Sequence, residues 1–391
     1  MRVIAALLVL AATQADGRAR DLGIPFEGSP GPLNAITDVR GVEVGQKTLI
    51  EGQNVRTGVT VVLPRGRVDK RPVYGGFFDL NGNGEMTGRA YLEDFGIVQG
   101  PIGISDTNAV GQVYVGIQQW SSKKFGEATW PVVAETWSGY LSDIEGFQVT
   151  AETATAALDA AKGGPIDEGN VGGGTGMVCF GFKGGIGTAS RAVSIGGKTY
   201  TVGVLVQCNT GYRGVLSIAG APVGQALAKR WLPCFDPKLG KGDAPLKPCN
   251  AEGSAGAAPP DQGSIIIVVG TDAPLMPLQL NRVAKRAAMG LARLGSYSGN
   301  SSGDLIVSFS TAPGEVNHEE QGKPSAIEPI ANARIDPIFE ATVQASEEAI
   351  VNALVAARTM TGVNGARYFG LPHDELRAIL KRYNRLEEPK K

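Results

Sequence analysis

Histidine is almost missing from this chain: its 391 residues contain two, His318 and His373. A Ser-His-Asp triad needs an imidazole that acts first as base and then as acid, and neither histidine has a G-x-S-x-G nucleophile elbow to serve. His318 lies in the charged stretch "EVNHEEQGKP" and His373 in "LPHDEL" near a helix start, so both read as surface or capping residues. A surplus of charge is missing too. With 37 basic and 38 acidic residues the formal net charge is −1, and without a basic stripe there is no footing for nucleic acid or an anionic membrane. Cysteine occurs four times, at spacings that do not match zinc ligands. Beyond the amino end, no apolar run is long enough for a transmembrane helix.

What is abundant is glycine, with 55 residues scattered among apolar segments. That density implies many tight turns and places where backbone must approach closely. At 42% hydrophobic and 19% charged residues the chain can bury a substantial core, in one large domain or in two to three. The amino end, "MRVIAALLVLAATQADG", has one arginine, an apolar run from Val3 to Ala12, then small residues and charge. This is the layout of a secretory signal peptide, spanning residues 1–15 if cut at Ala15–Asp16 and extending to 19 if cut at Ala19–Arg20. The mature protein is therefore expected to be exported, periplasmic or secreted, and soluble. In such a compartment a Cys234–Cys249 disulfide would tether the loop those residues bracket. Cys179 and Cys208, in apolar Gly-rich strands, read as small core residues.

Along the chain, "NAITDVRGVEVGQKTLI" and "VRTGVTVVLP" alternate like short strands. Residues 72–96 read as a glycine-punctuated loop region, and "GPIGISDTNAVGQVYVGIQQW" as a strand entering a helix. The spacing of Val133, Trp137, Tyr140 and Ile144 predicts an amphipathic helix over "WPVVAETWSGYLSDI". A helix follows in "TAETATAALDAAKGG", then successive strands up to Cys208–Asn209, a long loop, a strand from Ser264, a helix from about Pro277, a strand in "DLIVSFST" and closing helices. Sheets covered by helices, a layered α+β or α/β sandwich, account for this order.

Two motifs fail on their chemistry. "DLNGNGEMTGRA" imitates a calcium loop at Asp79, Asn81, Asn83 and Gly84, but Ala90 stands where a bidentate carboxylate is required. "NVGGGTGM" lacks both the Lys-Ser/Thr of a P-loop and G-x-G-x-x-G spacing; a buried Gly-rich turn beside an active site fits it better.

The junction Gly263–Ser264 stands out. A long run of loop formers ends there, and Ile265 to Val269 follow as an unbroken apolar run. A serine hydroxyl is a poor nucleophile without a base. If the bond before Ser264 is broken, the new α-amine, with an ordinary pKa near 8, sits on the same residue and can be that base. One residue then supplies nucleophile and base, and no histidine is needed. Gly263, lacking a Cβ, can take up strained conformations that leave its carbonyl open to Ser264 Oγ.

Several segments, in order, resemble the L-aminopeptidase/D-esterase and β-peptidyl aminopeptidase family of autoprocessing N-terminal serine hydrolases. They are "NAITDVRGVEVG", "TGVTVV", "GPIGISDTNAVG", "PVVAETWSGYLSDI", "GNVGGGTGM", "VGVLVQCNTG", "GSIIIVVGTDAPL", "SSGDLIVSFST" and "LPHDELRAIL". The resemblance implies an αββα sandwich, similar to N-terminal nucleophile hydrolases but of different connectivity. It implies cleavage at Gly263–Ser264 into a 16–263 fragment and a 264–391 fragment that form one folded domain. Ser264 would be the nucleophile. Asn209 would donate its side-chain amide to the oxyanion hole and Tyr140 its hydroxyl, with Trp137 as the alternative alignment. Ser302 and Asp304 would hydrogen-bond around the Ser264 amine and hydroxyl, although some relatives carry Glu where Asp304 stands.

The expected activity is removal of an N-terminal L-α-, D- or β-amino residue from short peptides, amides or esters through an acyl-enzyme. No metal or organic cofactor is called for. Glu135 and Asp106 are the acidic residues available for the substrate's amino group. Family likeness further implies a homo-oligomer of paired fragments, such as a tetramer of heterodimers, and no nucleic-acid or membrane partner. Two rival readings remain: an amidase or lactam-type hydrolase using the same serine, and an exported ligand-binding protein without chemistry.

Overall fold

The computed structural model describes residues 17–243, 245–250, 263–312, 316 and 327–387. The signal-like residues 1–15 and His318 lie outside the described residues. Ten strands build two sheets. They are β1 (Glu43–Glu51), β2 (Val55–Leu63), β3 (Val73–Gly82), β4 (Ile97–Val98), β5 (Ile102–Ser105), β6 (Val132–Glu135), β7 (Gly185–Ile195), β8 (Lys198–Asn209), β9 (Ser264–Thr271) and β10 (Gly303–Ser310). One sheet runs β1-β2-β5-β6 and the other β4-β3-β10-β9-β8-β7. The main helices are α1 (Arg89–Phe95), α2 (Val110–Phe125), α3 (Ala151–Asp159), α4 (Pro277–Arg293), α5 (Asp336–Ala356) and α6 (His373–Arg382).

Three apolar layers define the sandwich. Between the sheets, Val44, Val62, Ile104 and Ala134 meet Leu205, Ile266, Val268 and Val307. Outside the first sheet, Val59, Val61 and Val133 pack on Val113 and Ile117 of α2 and Ala154 and Leu158 of α3. Outside the second, Val204, Ile265, Ile267 and Ile306 pack on Leu280 and Val283 of α4 and Ile350 and Leu354 of α5. The fold is the expected αββα sandwich. The run Ile265–Val269 is continuously apolar because both faces of β9 are covered, with successive side chains entering opposite layers.

Strand β9 lies antiparallel to β8 and parallel to β10, with α4 as the crossover that a parallel pair requires. Both of its edges are hydrogen-bonded, so Ser264 is held at the mouth of a central strand.

Two expectations are corrected. Residues 131–144 form no amphipathic helix: Val132–Glu135 are β6, parallel to β5, and a turn follows in which Leu141 N and Ser142 N donate to Ser138 O. The β-branched Val132 and Val133 are buried on opposite faces, and that demand outweighs the helical spacing. Residues 72–96 are not mainly loop either. They contain β3, paired with β10, and α1. Two glycines of β3 are there for close packing: a Cβ on Gly76 would overlap the α4 backbone, and one on Gly75 would press on Val98 and on Leu92 of α1.

Candidate active site

The register of the second sheet assembles the site. Asn209, the last residue of β8, is the partner of Ser264, and directly paired residues of antiparallel strands share a face with Cβ atoms roughly 5 Å apart. On the other edge of β9, Ser264 is level with Gly303; a Cβ on Gly303 would lie 2.9 Å from Ser264 Oγ. The hydroxyl is thus flanked by an amide on one side and bare backbone on the other. Ser264 is 5% exposed.

Gly263 carries its carbonyl to the same edge. Gly303 N–H donates to Gly263 O at 3.0 Å, polarising the carbonyl next to Ser264. The reason for glycine here differs from the strained conformation expected: Gly263 is not among the positive-φ glycines. A side chain is excluded because a Cβ would overlap the Asn209 carbonyl oxygen.

Ser302 and Asp304 bracket Gly303. Ser302 Oγ donates to Asp304 Oδ1 at 2.7 Å and meets Thr210 Oγ1 at 3.1 Å. By the alternation of β-strands these three side chains project on the face opposite that of Ser264 and Asn209. They stand beside the Gly263–Ser264 peptide, since Thr210 Cα lies 3.2 Å from where a Gly263 Cβ would be. Asn81 Nδ2 donates to Ser302 O at 2.5 Å and Asn83 Nδ2 to Ser301 O at 2.7 Å. The asparagines that imitated a calcium loop brace this turn instead.

Asn209 is held at both ends of its amide. Its Oδ1 accepts Val178 N–H at 2.7 Å, and its Nδ2 donates to Trp137 O at 2.8 Å. A primary amide has two hydrogens, so the second can serve a reacting group. Trp137 opens the turn that also carries Tyr140; the two rings meet edge-on at 4.8 Å. Tyr140 packs on the other side against Tyr368 at 5.5 Å, whose phenol is pushed well above its usual range by burial and then by proximity to Tyr140. Trp137 is 37% exposed and forms a wall.

The two acidic residues separate into different jobs. Asp106 accepts Ser138 Oγ at 2.5 Å and Thr57 Oγ1 at 3.1 Å, so it secures the turn of Trp137 and Tyr140. Glu135 ends β6, accepting Glu85 N–H at 3.1 Å and Thr107 Oγ1. A Cβ on Gly84 would touch Glu135 Oε1 at 3.0 Å and Gly303 Cα at 3.5 Å, which brings this carboxylate to the Ser264 neighbourhood. Burial raises the pKa of both carboxyls.

Cys234 and Cys249 are disulfide-bonded, with Cα atoms 4.9 Å apart. Cys234–Phe235 pairs with Ala366–Arg367, next to Tyr368, so the tethered loop borders the aromatic pair Tyr140–Tyr368. The reading of Cys179 and Cys208 as unpaired core residues is corrected: they are bonded to each other, because the short pair Val178–Cys179 and Phe182–Lys183 folds against the end of β8. His373 Nε2 lies 2.9 Å from Val355 O, a structural contact away from these groups.

Residues 34–368 match the model of peptidase family S58. The chain belongs to that family. Beta-peptidyl aminopeptidases of Sphingosinicella microcystinivorans and Sphingosinicella xenopeptidilytica are 52% and 45% identical to it, over 99% and 97% of this chain and 98% and 95% of theirs. Among solved structures, the L-aminopeptidase D-Ala-esterase/amidase of Ochrobactrum anthropi superposes with a TM-score of 0.83 at 41% identity. That comparison covers 94% of this chain and 99% of that one, a protein described as a prototype of the serine aminopeptidases and a variant of the Ntn hydrolase fold. A Burkholderia beta-aminopeptidase superposes at 0.80 with 40% identity, covering 94% and 99%. This S58 member is accordingly an N-terminal serine aminopeptidase.

Sequence reading overlooked three groups that the structure ties to this cluster. Gly303 N–H, as donor to Gly263 O, leaves no side-chain signal. Thr210 directly follows Asn209 but has no motif value alone. Lys183, in "GFKGGIG", is a charged residue within an apolar strand run, and that incongruity was the available signal.

Proposed function

We propose that the chain cleaves itself between Gly263 and Ser264 and that the freed Ser264 removes N-terminal residues, β-amino residues among them, from short peptides and related amides. The observation that carries this reading is Ser264 Oγ placed between Asn209 and Gly303, with the Gly263 carbonyl accepting Gly303 N–H. In self-cleavage Oγ attacks the Gly263 carbonyl carbon, the hydroxyl proton passes to the leaving nitrogen and the C–N bond breaks, leaving an ester on Oγ and a free α-amine. Water then hydrolyses the ester.

In turnover the neutral α-amine takes the hydroxyl proton and Oγ attacks the substrate carbonyl. Asn209 Nδ2 and the Tyr140 hydroxyl stabilise the oxyanion, each such donor contributing roughly 3 kcal/mol. The ammonium passes its proton to the leaving amine, and water resolves the acyl-enzyme. Ser302 and the Asp304 carboxylate steady the ammonium form. Glu135 receives the substrate's own ammonium, while Asp106 remains committed to Ser138 and Thr57.

Support for β-amino substrates comes from the two beta-peptidyl aminopeptidase relatives; the esterase/amidase neighbour supports D-residue esters and amides as a second class. The cleaved pieces stay together because β9 and β10 of the 264–391 fragment lie in the middle of a sheet whose β3 and β8 belong to the other. A homo-oligomer of these pairs is part of the proposal.

So is export, supported by the leader-like amino end and by two disulfides. Leader removal after Ala15 suits the fold better than after Ala19, since Ala19 is fully buried and Arg18 pairs with Glu168 at 2.8 Å.

Intact mass of the purified protein tests the proposal. Two pieces split at Ser264 are expected, and one uncut chain for Ser264→Ala. An active but uncut wild-type enzyme would defeat it, and so would a Ser264→Ala protein that still splits.

A further inference from the structure

Lys183 is fully buried, and among the described residues no carboxylate pairs with it. Its Nζ donates to three main-chain carbonyls instead, Met177 O at 2.8 Å, Gly184 O at 2.9 Å and Gly174 O at 3.2 Å. Three acceptors match the three donors of a protonated amine. Burial pulls its pKa well below the usual value, and the three carbonyl acceptors oppose that pull by favouring the protonated form. Burying an ammonium without a counter-ion is costly, so the arrangement calls for a reason beyond filling space.

The reason lies one peptide away. The Met177 carbonyl that receives the ammonium belongs to the same peptide group as Val178 N–H, and Val178 N–H donates to Asn209 Oδ1. The chain of contacts runs from Lys183 Nζ through the Met177–Val178 peptide to the Asn209 carboxamide, whose Nδ2 faces the reaction. Hydrogen bonds linked in this way polarise one another in a low-dielectric interior. An amide whose oxygen is drawn toward positive charge becomes a stronger donor at nitrogen. We infer that Lys183 is a positioning residue for turnover, its charge relayed through the Met177–Val178 peptide to sharpen Asn209 as oxyanion donor. This rests on the reading of Asn209 given above.

The relay separates two chemistries. The Gly263 carbonyl is served by Gly303 N–H, outside the Lys183 chain, so self-cleavage does not depend on the lysine. The turn around Lys183 also has other anchors. Cys179 is bonded to Cys208, Phe180 N donates to Thr210 O at 2.7 Å, Lys183 N donates to Phe369 O at 2.7 Å, and Arg213 Nε donates to Phe180 O at 3.0 Å.

The test is steady-state kinetics of Lys183→Met and Lys183→Gln, alone and combined with Asn209→Ala, together with the extent of self-cleavage. The two lysine variants are expected to split normally and to lose on the order of tenfold in kcat, a fraction of what loss of a whole oxyanion donor costs, with KM within about twofold. In the Asn209→Ala background they should change kcat by less than about twofold, because the relay has no endpoint there.

A normal kcat for either variant, an equal loss in both backgrounds, or failure of both variants to yield soluble, cleaved protein would overturn the inference and leave Lys183 a folding residue. Asn209→Ala with wild-type kcat would instead overturn the oxyanion reading itself, so the two failures are distinguishable.

Discussion

Asn209 and Ser264 are direct partners across the β8–β9 pair, and the Asn209 carboxamide is fixed by Val178 on one side and Trp137 on the other. In the oxyanion hole we propose, a donor held so firmly would need no reorganisation when charge develops on the substrate oxygen. Asn209→Ala should lower kcat by about 10²–10³-fold, roughly 3–4 kcal/mol of transition-state stabilisation, while the chain still splits. Steady-state kinetics on a β-aminoacyl p-nitroanilide measures it, and an unchanged kcat removes Asn209 from the oxyanion hole.

Gly263 admits no side chain beside the Asn209 carbonyl. Gly263→Val is therefore expected to shift the scissile carbonyl away from Gly303 N–H and leave most of the protein uncut. Denaturing gels of freshly purified protein follow the split; complete cleavage of the variant would show that this close approach is irrelevant.

Glu135 should give substrate binding its own pH dependence. Burial raises its carboxyl pKa, outweighing the hydrogen bonds from Thr107 and Glu85 that lower it, and an ammonium group is held by the ionised form. As pH falls through this raised pKa, KM should climb before the ordinary carboxylate range is reached. Protonation of the Ser264 amine should lower kcat separately. Glu135→Gln is expected to raise KM and to flatten its pH dependence, and an unaltered KM profile would exclude Glu135 as the amine anchor.

Away from the site, Glu348 joins the amino-terminal segment to α5. It accepts Arg191 Nη2 at 2.6 Å and Arg20 Nε at 2.7 Å, with the Arg191 and Glu348 side chains 1% and 0% exposed. Burial alone would raise its pKa, but hydrogen bonds from Arg20 and the Arg191 charge prevail and hold it below the usual value. A carboxyl depressed in the folded state stabilises above its unfolded pKa and loses that contribution as pH falls through the folded one. Glu348→Ala should cost about 3–5 kcal/mol at neutral pH by stranding a buried arginine. Urea midpoints at neutral and acidic pH should show the gap to wild type closing on acidification; a neutral-pH difference near zero would contradict this account.

Much of the fold was legible where a single rule governed. The helix from Pro277 and the strand at Ser264 read correctly because amphipathic spacing and an unbroken apolar run pointed the same way. The segment Val132–Ile144 misled because its apolar residues fit a helix locally, whereas β5 and the two flanking layers require a strand. Residues 73–82 misled in the opposite sense. Their glycines look like turn formers in one dimension, and only tertiary packing explains Gly75 and Gly76, against Val98 and Leu92 and against α4. The bond between Cys179 and Cys208 was missed because nothing in their spacing shows that the short Val178–Lys183 pair folds back on β8.

The amino-acid order alone singled out the nucleophile we propose: a serine behind a glycine, with loop formers before it and an unbroken apolar run after it. Those features are contiguous, so covalent connectivity guarantees them. The receptive surroundings were decided by tertiary structure, because Asn209, Gly303, the Trp137–Tyr140 turn, Glu135 and Lys183 come from distant parts of the chain. Strand register and buried hydrogen bonds bring them together, and a shift of one residue in β8 would turn the Asn209 side chain to the other face of the sheet.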